Sequence, residues 1–254
     1  MCLKSECRYW DGMKKILYSF YFLLIVSTCQ AELKVLMIGN SYTGQIRKTV
    51  TNLFKAQKSE VHLEFITPGG KTLQYHITQA KTKERIQQGS WDVIILQDQS
   101  QTPALPGINK KFHQAVEGFS EFFQSLKKKP KIYFYMTWGR RDGDRRNKNI
   151  FPDFATMQKA LTENYTKAAK KISADIVPVG LGFERVHLKN KELFKSLYAK
   201  DGSHPSHLGA YLAACMFYAK LLDQDPETIE WQADLDGETA MLLKQTAKKV
   251  LQNI

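Results

Sequence analysis

Ser41 lies in the segment Gly39-Asn-Ser-Tyr-Thr-Gly44, just past a short apolar run from Leu33 that reads as a buried strand. A serine on a glycine-flanked turn from strand to helix presents its hydroxyl at the sheet edge, where the N–H groups of the helix start also point. That hydroxyl is a weak nucleophile until a base takes its proton. On this loop alone the plainer reading leads: Asn40 and Ser41 simply cap the helix.

Asp201 and His204 shift the balance. In Asp201-Gly-Ser-His-Pro-Ser-His207, a carboxylate and an imidazole three residues apart share a turn that leads into a helix. The carboxylate can reach one ring nitrogen, fix the tautomer and favour the imidazolium that forms during proton transfer, leaving the other nitrogen for Ser41. Pro205 suits the first turn of the following helix and would stiffen the loop. Taken alone, the pair is equally a solvated polar turn. His207 is a competing base, but it begins the helix and lies farther from Asp201. An acyl-transfer site also needs donors aimed at the tetrahedral oxyanion. Candidates are the Ser41 N–H, the N–H of Gly70, where a glycine allows close backbone approach, and a side-chain amide from Gln99 or Gln97.

These residues need a scaffold that gathers them. Val61 to Ile66, Trp91 to Leu96, Lys131 to Met136 and Asp175 to Val179 read as further strands. Between and after them, apolar residues at helical spacing (Ile46, Val50, Leu53, Phe54; Phe112 to Leu126; Phe154 to Ala168; His207 to Leu222; Leu235 to Leu251) mark helices. The alternation predicts an α/β fold, three layers deep, with a mainly parallel five-stranded sheet covered on both faces. Ligands in such sheets sit at the carboxyl ends of the strands, which is where all the candidate loops fall. The loop after the fourth strand adds Trp138, Arg140 and Arg141, residue types that stack on sugars or clamp an anionic group, as candidate substrate contacts together with Gln97.

The chain has 254 residues, of which 43% are apolar and 24% charged, with 4 cysteines. That mix excludes a disordered chain, a collagen-like repeat and a disulfide scaffold. The net charge of +12 suits acidic partners but concerns association, not chemistry. Residues 1–31 read as a leader, with Met13 the natural start: Lys14 and Lys15 precede an apolar stretch from Ile16 to Val26, and Cys29-Gln-Ala31 ends it with small residues. The stretch is shorter than the roughly 20 residues of a spanning helix, so export is expected, with no stable membrane span and with a lipid anchor through Cys29 as the lesser alternative. Residues 32–254 are expected to form one domain. Its one cysteine, Cys215, can form no internal disulfide and reads as a small buried hydrophobe.

The sequence resembles the SGNH (GDSL-like) esterase/lipase superfamily, in a branch with Gly-Asn-Ser-x-Thr in the first block. The likeness rests on Ile38-Gly-Asn-Ser-Tyr-Thr43 and on Tyr198-Ala-Lys-Asp-Gly-Ser-His-Pro-Ser206 with Gly209-Ala-Tyr-Leu212 behind it. It implies a flavodoxin-like strand order, with Ser41 as nucleophile, His204 as base, Asp201 as its partner and Gly70 as the second-block oxyanion glycine. Two departures stand out. Asn40 replaces the usual Asp, and Gln97-Asp-Gln-Ser100 replaces the third-block Gly-x-Asn-Asp, which puts Gln99 at the oxyanion Asn.

The resulting expectation is a serine esterase acting on an acyl ester, with acetyl the first candidate, of a carbohydrate or related polar compound. An acyltransferase with the same triad and a non-catalytic carbohydrate- or envelope-binding protein on the same scaffold are the alternatives. No cofactor or metal is implied: Asp201, His204 and His207 lack a supporting His-Glu-x-x-His helix or Cys pair. Gly70-Lys-Thr72 lacks the first glycine of a phosphate loop, and the lysine clusters lack the aromatic strip of a nucleic-acid site.

Overall fold

The computed structural model describes residues 31–253, so the leader, including Met13 and Cys29, lies outside the described residues. Five strands, β1 (Leu33–Ile38), β2 (Val61–Ile66), β3 (Val93–Leu96), β4 (Lys131–Tyr135) and β5 (Asp175–Val177), form one parallel sheet in the order β2-β1-β3-β4-β5. The expected α/β architecture and strand order are present. β3 starts two residues later than the pattern suggested, and β5 stops at Val177 because Pro178 has no N–H to continue the ladder.

Side chains alternate across the sheet and build two separate cores. Val35, Met37, Val93, Ile95, Tyr133 and Tyr135 face one layer, made by α1 (Ser41–Ala56), α7 (Val179–Lys189), α8 (Lys191–Ser196), α9 (His207–Leu222) and α10 (Gly237–Leu251). Leu36, Ile38, Ile94, Leu96, Phe134 and Met136 face the other, made by α2 (Leu73–Thr78), α3 (Ala80–Gln88), α4 (Gln101–Ala104), α5 (Asn109–Gln124) and α6 (Phe154–Ile172). Each fully buried aliphatic or aromatic side chain contributes about 1.5–3 kcal/mol, so strands buried on both faces need no polar alternation. Cys215 sits within the first core, where burial pushes its thiol up to about 12.

The register aligns the carboxyl ends of the central strands, with Ile38 opposite Ile66 and Leu96. The chain leaves β1 toward one face and β3 toward the other, which opens a crevice at the point where strand order reverses. No described helix is long and apolar enough to cross a membrane.

Candidate active site

Helix α1 begins directly at Ser41. Asn40 is its cap, with Oδ1 accepting from Tyr42 N at 3.1 Å. The Asn40 amide also donates from Nδ2 to Lys71 O at 2.9 Å, tying the first loop to the second. An aspartate could cap the helix but could not make that donation, which accounts for the asparagine here. Behind the turn, Gln97 Oε1 accepts from Asn40 N and from Thr43 Oγ1, each at 2.9 Å. A Cβ at Gly39 would run into both Gln97 Oε1 and Thr43 Oγ1, so only glycine allows this approach. His76, fully buried, donates from Nε2 to Gly39 O at 2.7 Å, and burial holds its imidazole below the usual range, in the neutral form.

The Asp201–His204 turn arrives from the other side. Tyr198 bridges to Pro205, Ala199 N donates to His204 O at 2.9 Å, and Ser206 caps α9 by accepting from Leu208 N and Gly209 N. Pro205 therefore precedes the helix and braces the turn, instead of lying in the first turn of the helix as the sequence suggested. Gly209 lets α9 close on this segment, because a Cβ there would run into Leu197 O. Asp201 Oδ1 accepts from Ser203 N and His204 N, both at 2.9 Å, and Oδ2 lies 2.6 Å from His204 Nδ1. Burial pushes the Asp201 carboxyl up, but His204 and the two backbone donors outweigh it and leave it below its usual range. An ionised carboxylate only accepts, so His204 carries its proton on Nδ1 and turns the Nε2 lone pair outward. Ser41 Oγ is 2.9 Å from that Nε2. Two stretches distant in sequence, the Ser41 loop and the Asp201–His204 turn, thus meet in one unbroken line of hydrogen bonds.

Gly70 sits at φ +69°, exposed, and its N–H takes no partner among the described residues. Gln99 does not stand as a free donor. Its Oε1 accepts from Gln101 N at 2.8 Å and its Nε2 makes a long 3.3 Å contact with Gln101 Oε1, so its amide folds back on its own turn.

Three further expectations need correction. Trp138 is fully buried: its indole stacks on Phe183 at 4.1 Å and its Nε1 donates to Ser203 O at 3.0 Å, which leaves no face for a substrate. Gln97 is likewise fully buried and holds the Ser41 turn from behind. Arg140 bonds through Nη1 to the fully buried Asp144 at 2.8 Å. Asp144 also accepts from Gln101, Arg146 N and Asn147, and so organises the loop after β4 instead of leaving Arg140 free. Arg141 pairs with Asp142 and donates its N–H to Gly202 O at 2.9 Å, which keeps it at the rim beside the Asp201 turn. The sequence reading missed Tyr42, Ser203 and Asp98. Their only signal was position: each adjoins a candidate residue or a strand end.

No protein-family model matches the sequence, and no curated protein does. Solved structures do match in shape. A DUF4886 family protein from Bacteroides uniformis superposes with a TM-score of 0.74 at 16% identity, over 87% of this chain and 95% of its own. A protein from Slackia heliotrinireducens assigned provisionally to the SGNH hydrolases gives 0.61 at 23% identity, over 74% of this chain and 98% of its own. The fold is that of the SGNH hydrolases. A variant of an acetyl xylan esterase from Geobacillus stearothermophilus shares it, with a TM-score of 0.53 at 17% identity over 75% of this chain and 95% of its own. Within the SGNH-hydrolase fold, the rim at the carboxyl ends of β1, β2 and β3 carries Ser41, Gly70 and Gln99 on successive loops. Among the described residues, no cluster of three His, Cys, Asp or Glu is placed to hold a metal.

Proposed function

We propose that the protein is a serine esterase that hydrolyses a short acyl ester, acetyl being the first group to test, of a carbohydrate or related polar alcohol. The observation that carries this reading is the line from Ser41 Oγ through the His204 ring to Asp201 Oδ2, with separations of 2.9 and 2.6 Å. The acetyl xylan esterase on the same fold supports the choice of substrate class.

In this reading Ser41 Oγ attacks the ester carbonyl carbon while its proton passes to His204 Nε2. The tetrahedral oxyanion accepts from the N–H groups of Ser41 and Gly70, and Gln99 Nε2 joins them by leaving its long contact with Gln101. His204 returns the proton to the departing alcohol. Water then attacks the acyl-Ser41 carbonyl, giving one proton to His204, and the acid leaves as Ser41 regains its hydrogen. Asp201 stays ionised throughout and stabilises the imidazolium. The leader-like segment from Lys14 to Ala31 supports export as the setting, to be tested by the N-terminal sequence of the mature chain.

The test is hydrolysis of p-nitrophenyl acetate and of acetylated glycans by the wild type and Ser41→Ala, with a fluorophosphonate label mapped by mass spectrometry. Label on Ser41 and an inactive variant are expected. Equal rates for the two proteins would overturn the reading.

A further inference from the structure

We propose that Tyr42 is a positioning residue for the Ser41–His204 pair, acting through Ser203, which it holds together with Trp138. The inference rests on the esterase reading.

Tyr42 follows Ser41 in the first turn of α1, yet its hydroxyl lies 2.7 Å from Ser203 Oγ, on the turn that carries the base. Ser203 stands between Gly202 and His204, and its backbone carbonyl accepts from Trp138 Nε1 at 3.0 Å. Its side chain is thus gripped from the nucleophile's helix and its main chain from the loop after β4. The Tyr42 ring fills the space between, with centroids 5.2 Å from the His204 imidazole and 5.2 Å from the Trp138 ring. Trp138 is in turn clamped on Phe183 of α7. Nucleophile and base thereby share one rigid neighbour.

The grip matters because the Asp201 side chain is about half exposed, so the turn has little packing of its own on that side. Misplacing a reacting group by about 1 Å can cost about a hundredfold in rate. Burial pushes the Tyr42 phenol above its usual range, so it remains a neutral partner for Ser203 through the pH range of the assay. A tyrosine that only filled core space would use its ring; the hydroxyl would then be dispensable for turnover.

A double-mutant cycle separates the two roles. Tyr42→Phe keeps the ring and Ser203→Ala removes the partner hydroxyl, while Ser203→Thr restores one. On p-nitrophenyl acetate, each of the first two should lower kcat about tenfold, roughly the size of one lost hydrogen bond, with KM nearly unchanged. The double variant should be no slower than either single, and Ser203→Thr should recover most of the rate. Wild-type kcat in Tyr42→Phe, additive losses, or losses that track unfolding by circular dichroism in both singles would each overturn the proposal. Ser41→Ala runs alongside: if it stays as active as wild type, the esterase reading fails, whereas an inactive Ser41→Ala with a fully active Tyr42→Phe removes only the positioning role.

Discussion

Asp98 Oδ1 accepts the backbone N–H of Leu73 at 3.2 Å, so one buried carboxyl at the end of β3 fastens the start of α2, just beyond Gly70. The same oxygen accepts from Gln99 N at 2.6 Å, while Oδ2 is buried without a partner among the described residues. Both loops offered for the oxyanion therefore hang from one atom.

Burial pushes the Asp98 carboxyl up to about 7, against the two backbone donors that favour its charge. The folded chain then keeps a proton that the unfolded chain releases near pH 4, so this group's contribution to stability falls as pH rises from about 4 to 7. Asp98→Asn retains an acceptor and does not titrate. Its unfolding free energy relative to wild type should improve steadily over that window, by on the order of a few kcal/mol, and level off above it. Scanning calorimetry across pH would show a constant difference if Asp98 were ionised throughout.

Gln97→Ala should strip acceptors from Asn40 N and Thr43 Oγ1 and cost about 1–3 kcal/mol, with activity falling as the Ser41 turn loosens. Gly39→Ala should damage the same turn by overfilling it. Denaturant melts and acetate-ester turnover of both variants check this. A cost at Gln97 without any change in turnover would separate stability from alignment.

Asn40→Asp should weaken the protein even though an aspartate can cap a helix. The carboxylate keeps the cap on α1 but sets an acceptor against Lys71 O. The expected loss is about 1–3 kcal/mol, with slower turnover through the displaced second loop. An unchanged melt and rate would show that Lys71 O finds another donor.

Asp201→Asn should lower kcat by about a thousandfold or more, because an amide can donate to His204 Nδ1 and so favour the tautomer that carries its proton on Nε2. Stability supplied by the lowered Asp201 carboxyl is present above its unfolded value and is lost as pH falls through its folded one. The variant should therefore lack that part of the acid limb of the wild-type stability curve. Kinetics and melts on the same preparation test both statements.

How far the sequence could be read depended on whether a residue's job was local. The strands were legible because burial on both faces leaves unbroken apolar runs, as in Val93-Ile-Ile-Leu96. Helix α7 was not: Gly180 and Gly182 look like helix breakers, yet a Cβ at Gly180 would run into Thr137 O and one at Gly182 would crowd Met216 Sδ. That Ser41, His204 and Asp201 join in one hydrogen-bonded line is what residue type, spacing and the family resemblance led one to expect. The types of Trp138 and Gln97 suit ligands, but their inward direction depends on Phe183, Ser203 and Asn40. Tyr42 had only its place beside Ser41 to mark it, since its partner Ser203 is remote in sequence.

Ser41 opens α1 and the His204 turn feeds α9, and these two helices lie against each other on one face of the sheet. The hydroxyl-to-imidazole gap therefore depends on a helix–helix seam as well as on the bonds that hold the His204 turn. Warming that loosens the seam would pull the two groups apart before the strands separate, so catalytic output would fade ahead of global melting and serve as an early gauge of that contact.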